Sequence, residues 1–73
     1  MPNTIDLIFP EHIEPDLFLR YARDMLVARG IRMIAGARIV ESDGATMGRL
    51  LLANKDDRSR AIQILVRTQI KIR

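Results

Sequence analysis

The chain has 73 residues, which predicts a single domain over 1–73 whose small core leaves only a modest margin of stability. Its make-up, 48% hydrophobic and 29% charged, is that of a globular protein and speaks against disorder. There is no cysteine, so disulfides, thiolate metal sites and cysteine nucleophiles are excluded.

No apolar run approaches the ~20 residues of a membrane span. Met1 to Asp6 lacks the basic and long apolar regions of a signal peptide. The chain is therefore expected to be cytoplasmic, with no membrane insertion. The net charge of +3 is unevenly spread. Asp6, Glu11, Glu14 and Asp16 precede the first basic residue, and ten arginines and two lysines follow. Such asymmetry fits a nucleic-acid surface, a solvated arginine-rich surface, or halves that attract each other between subunits.

In chain order, Thr4 to Phe9 alternates and predicts a strand that Pro10 closes. Pro15-Asp16 opens a helix expected to run to about Arg29, with Phe18, Tyr21, Ala22, Met25 and Ala28 on one face and Gly30 as its stop. Ile31 to Ser42 and Ala45 to Ala53 read as two strands joined at Asp43-Gly44, a strong hairpin signal. A two-residue loop there sets Ser42 opposite Ala45, Ala37 opposite Leu50 and Arg38 opposite Arg49. Met33, Ala35, Ala37, Ile39, Leu50 and Leu52 then share the helix-covered face. Arg32, Ile34, Gly36, Arg38, Val40, Met47, Arg49 and Leu51 share the open one. From Asn54 a turn or cap follows, with Asp56 as the expected N-cap. Beyond it, Ile62, Leu65, Val66 and Gln69 fit a helix followed by a strand at Ile70-Lys71-Ile72. Ile62, Ile64, Val66, Thr68, Ile70 and Ile72 fit one long strand instead.

Ile34-Ala35-Gly36-Ala37-Arg38-Ile39, Asp43-Gly44 and Gly48-Arg49-Leu50-Leu51-Leu52 resemble the strand–turn–strand core of the NIL domain, the small regulatory domain of methionine ABC importer ATPases, also found as a stand-alone protein. Thr4 to Phe9 is similar to that family's first strand, and Glu14-Pro15 with Arg20-Tyr21-Ala22-Arg23 to the start of its first helix. The resemblance implies an α+β, ferredoxin-like βαββαβ sandwich; the alternative is βαβββ with one long C-terminal strand. It also implies a homodimer and, in the importers, methionine bound at the dimer interface and inhibition of transport. Three departures stand out. The first helix is longer than the family's by two or three residues, the segment after Leu52 is shorter and lacks the glycine that separates the second helix from the last strand, and Arg32 occupies a position where the importers can carry a polar ligand contact.

The chemistry-bearing residues are few. His12 lies beside Glu11 and Glu14, a set that could hold a metal or act as a base, though a solvated loop accounts for it better. Asp56-Asp57 fits a helix start, and Ser42 and Ser59 have no histidine partner. Gly44-Ala45-Thr46-Met47-Gly48 lacks the lysine and the helix of a phosphate loop. Met25, Met33 and Met47 read as core or interface filling. No catalytic residue, cofactor or metal is expected. Glycines inside strands mark places where a ligand or another backbone comes close. Together with what the NIL resemblance implies, this gives Arg32, Met33, Ile34, Gly36, Met47 and Gly48 as candidate ligand contacts, for a small amino acid such as methionine. The candidate interface is Ile34, Arg38, Val40, Arg49 and Leu51. A nucleic-acid partner would use Arg32, Arg38, Arg49, Arg67 and Arg73, without the stacking aromatics of an RNA-binding sheet.

Overall fold

The computed structural model describes residues 2–73. Strand β1 (Thr4–Leu7) is followed by helix α1 (Pro15–Ala28), strands β2 (Met33–Val40) and β3 (Thr46–Leu52), a 3-10 turn (Lys55–Asp57) and helix α2 (Arg58–Arg67). The sheet is antiparallel in the order β1-β3-β2. An isolated antiparallel bridge joins Leu7 to Ile72, with Ile8 N donating to the Lys71 carbonyl at 3.0 Å and Arg73 N to that of Asp6 at 2.9 Å. The expected final strand is thus reduced to one bridge beside β1. The result is a small α+β fold compatible with a ferredoxin-like arrangement.

The long C-terminal strand is ruled out, because Arg58–Arg67 is helical. Its apolar alternation is overridden by burial of Ala61, Ile64 and Leu65, which share one helix face at spacings of three and four. The cap before it is also not the one expected. Asn54, not Asp56, accepts a backbone N–H, from Asp56 at 2.9 Å.

In α1 the Glu14 carboxylate caps the first turn, accepting from Asp16 N at 3.2 Å and Leu17 N at 3.0 Å. The buried stripe is Phe18, Leu19, Ala22 and Leu26. Tyr21 and Ala28, expected on that face, are exposed. Leu19 and Leu26 are wholly apolar, whereas Tyr21 keeps its hydroxyl in water by pointing out.

The hairpin carries the largest correction. Gly44 has φ +87°, but Asp43 is not left-handed, so the tip is not a type I′ turn. Gly44 N donates to the Glu41 carbonyl at 3.0 Å, Glu41 N to that of Ala45 at 2.8 Å, and Ala45 N to Asp43 Oδ1 at 2.9 Å. Ser42, Asp43 and Gly44 form a three-residue loop, and the register moves by one. Arg38 is opposite Gly48, Ala37 opposite Arg49 and Gly36 opposite Leu50. A one-residue shift turns every side chain of a strand to the other face. Gly36, Arg38 and Val40 therefore lie on the helix side with Gly48 and Leu50. Ala35, Ala37 and Ile39 lie on the open side with Met47, Arg49 and Leu51. An irregularity between Met33 and Ala35 restores Met33, opposite Leu52, to the helix side.

The core lies between the sheet and both helices. Ile5, Leu7, Leu50 and Leu52 meet Phe18, Leu19, Ala22 and Leu26 of α1, Ala61, Ile64 and Leu65 of α2, and Ile31 and Ile70 from the connections. No helix among the described residues is long and apolar enough to cross a membrane.

Candidate functional site

The open sheet face is a mosaic of apolar and paired charged groups. Arg49 on β3 donates from Nε to Asp6 Oδ1 at 2.8 Å and from Nη2 to Asp6 Oδ2 at 3.1 Å. These hydrogen bonds hold the Asp6 carboxyl below the usual carboxylate range, with burial opposing and the Arg49 and Arg73 charges reinforcing the shift. The same pairing pushes the Arg49 guanidinium up. Arg73 Nη2 donates to Glu41 Oε2 at 2.9 Å, its Nη1 also pairs with Glu41 Oε1, and Nη1 lies 2.8 Å from Met47 Sδ. Met47 is consequently buried although it lies outside the main core.

The expected arginine pair does not exist. Arg38 and Arg49 lie on opposite faces, and a carboxylate answers Arg49. The candidate ligand contacts are divided too. Gly36 and Gly48 are on the helix side, Met47 is on the open side under Arg73, Ile34 is exposed at the irregularity, and Arg32 precedes β2. A Cβ at Gly48 would lie 2.9 Å from Leu19 Cδ2 and 3.1 Å from Phe9 Cε1, so core packing fills the space that a ligand would need. At Gly36 the nearest atom, Leu50 Cδ2, would be 3.5 Å away, an ordinary contact. Of the interface set, Ile34, Arg38 and Val40 lie along β2, the sheet's outer strand, and Arg49 and Leu51 one strand further in.

A cleft of about 420 Å³ opens beside Phe9, whose ring also packs against Gly48. Ile8, Phe9, Pro10, Glu11 and His12 form one wall, and Gln69, Ile70 and Lys71 the other, with Phe18 between them. The Phe9 and Phe18 rings pack edge to face, with centroids 5.8 Å apart and planes at 76°. Phe9 and Phe18 come from different segments, and Glu11 and His12, neighbours in one connection, meet Lys71 from the far part of the sequence. Beside the cleft, Ile13, Leu17 and Tyr21 form an exposed apolar surface, with Leu17 57% and Tyr21 55% accessible.

His12 does not build a metal centre with its neighbours. The Glu14 carboxylate is engaged in capping α1, and among the described residues no three histidine, aspartate or glutamate side chains are grouped to hold an ion.

No family model matches the chain, and neither the curated proteins nor the solved structures give a match.

Proposed function

We propose that the chain is a non-catalytic regulatory module, working in the cytoplasm as a homodimer and sensing a small amino acid such as methionine. The observation that carries this reading is the state of β2. It is the outer strand, none of its eight residues is buried, and Ile34 and Val40 are 61% and 66% exposed. It contains no proline and no lysine, and Arg38 is its one charge. An unpaired edge is a template for another chain, and here the irregularity after Met33 confines that template to residues 35–40. Ala35, Gly36 and Ala37 at its centre let a second backbone approach. A two-fold axis there would extend the sheet symmetrically through two copies of β2. The likeness to NIL domains supports the ligand and regulatory parts of the reading.

Analytical ultracentrifugation over a concentration series tests the dimer. A concentration-dependent dimer is expected, weakened when Ala37→Lys sets like charges against each other across the axis. A strict monomer at every concentration would overturn it. Calorimetry with a panel of amino acids tests the ligand, and silence across the panel would overturn that part.

The nucleic-acid alternative draws less support. Of its five arginines, Arg49 and Arg73 already answer Asp6 and Glu41. Counterion release needs arginines free to meet phosphates. A gel shift absent even at low salt is expected.

A further inference from the structure

We propose that the outer surface of the helix layer is a second self-association site, where α2 of another copy covers the exposed apolar stripe of α1. The site lies away from the β2 edge and does not depend on it.

The stripe is the first support. Ile13, Leu17 and Tyr21 recur every four residues, so they line one side of α1 and the turn before it. With the buried Phe18 beneath them they bound an open hollow of about 380 Å³. None of the four carries a charge, and the Tyr21 hydroxyl has no hydrogen-bond partner among the described residues. Exposed aromatic and apolar groups gathered in this way mark surfaces that another protein covers.

Charge indicates what covers it. Glu14 and Asp16 flank Ile13 and Leu17, and Glu11 lines the neighbouring cleft that shares Phe18. A complementary partner is basic and partly apolar, and this chain carries such an element. Residues 58–73 hold Arg58, Arg60, Arg67, Lys71 and Arg73 and no acid. On α2, Ser59, Gln63 and Val66 form an exposed outward line at spacings of four and three, away from the buried Ala61, Ile64 and Leu65. Arg60 and Arg67, two turns apart, edge that line. Arg60 lies 3.6 Å from Asp57, whereas Arg67, Glu11 and Asp16 have no ion-pair partner among the described residues.

Symmetry is the third support. Both helices pack on one face of the sheet, so the stripe and the outward line of α2 belong to the same layer. A two-fold axis through that layer sets α1 of one copy on α2 of the other, and the same rotation repeats the contact. Apolar parts then meet, and the acids of each copy face the bases of its partner. Two different two-fold contacts on one chain, this one and the strand pairing, carry assembly beyond a dimer.

Tyr21 is the chain's one tyrosine and there is no tryptophan, so intrinsic fluorescence reports this surface alone. The test is analytical ultracentrifugation of the full chain carrying Ala37→Lys, with acrylamide quenching of Tyr21 over the same concentrations. Ala37→Lys opposes the strand contact and leaves the helix layer untouched. Dimers should still form, and quenching should fall as they do. Adding Leu17→Gln should weaken this dimer about tenfold, the effect of one apolar side chain left uncovered. Adding Arg67→Glu should weaken it roughly threefold, and Glu11→Lys on top of that should recover part of the loss, because the reversed charges again oppose each other. At the lowest concentration each variant should melt within about 4 °C of Ala37→Lys, so that lost association is separated from lost fold. A monomer at every concentration, or a dimer in which Tyr21 quenches as freely as in the monomer, would overturn the site; association of the wild type would still leave the β2 contact standing. No loss from Arg67→Glu, or none recovered by Glu11→Lys, would overturn α2 as the occupant.

Discussion

Asp6 and Arg49 stand opposite each other on β1 and β3, joined by two hydrogen bonds of 2.8 and 3.1 Å on the side of the sheet that no helix covers. Paired in this way, Arg49 neither repels another arginine nor offers a free cation to a phosphate. Replacing Asp6 by asparagine should cost about 0.5–1 kcal/mol at neutral pH, the upper range for a partly exposed pair, measured by urea denaturation. The pH dependence follows from the lowered native carboxyl. Its contribution is complete above the unfolded carboxyl's range and is lost as pH falls through the lower native one. The gap between the wild type and Asp6→Asn should therefore be constant above about pH 5 and shrink as pH falls below about 4, closing only beneath the native carboxyl's own lowered range.

Gly48 and Gly36 should answer an added methyl group differently. Gly48→Ala pushes against Leu19, which can swing, and against the Phe9 ring, which has less freedom at 3.1 and 3.2 Å. A loss of about 1 kcal/mol or more is expected. Gly36→Ala meets only an ordinary contact and should be neutral or mildly stabilising. Equal losses at both positions in chemical denaturation would contradict the observed register.

At the hairpin tip, Gly44 has open space around it, so Gly44→Ala tests conformation alone. Its φ of +87° should make the alanine variant about 1 kcal/mol less stable, seen as a lower urea midpoint with an unchanged slope.

Glu14→Ala removes the acceptor for two backbone donors at the start of α1. A loss of about 1 kcal/mol is expected, with glutamine at that position recovering part of it. Circular dichroism melts would register both.

Much of the fold is legible in the residues, and the failures have identifiable causes. Ile5 and Leu7 alternate with polar neighbours, and Pro15 followed by Asp16 marks a helix start, so β1 and α1 emerge directly. Asp43-Gly44 marks the hairpin tip, but two loop types satisfy that dipeptide. The choice rests on whether Asp43 turns left-handed, which sequence does not dictate. That single torsion exchanged Gly36, Arg38 and Val40 with Ala35, Ala37 and Ile39, and so parted Gly36 from Met47 among the expected ligand contacts. After Asp57, alternation and helical spacing coexist in the same apolar residues, and packing of Ala61, Ile64 and Leu65 against the core decides between them. The cleft draws on three separate segments, so no local pattern announces it.

The position of β1 also governs how the chain must assemble. Its partners, β3 and Ile72, both come from the far half of the sequence, whereas α1 and the β2–β3 hairpin form from near neighbours. Local pieces can therefore gather first, and the opening strand is captured late, after a costly long-range closure. Until then Thr4 to Phe9, an apolar stretch without a basic residue, waits unpaired and prone to stick to its fellows. Refolding yield should consequently fall with protein concentration well before native solubility does.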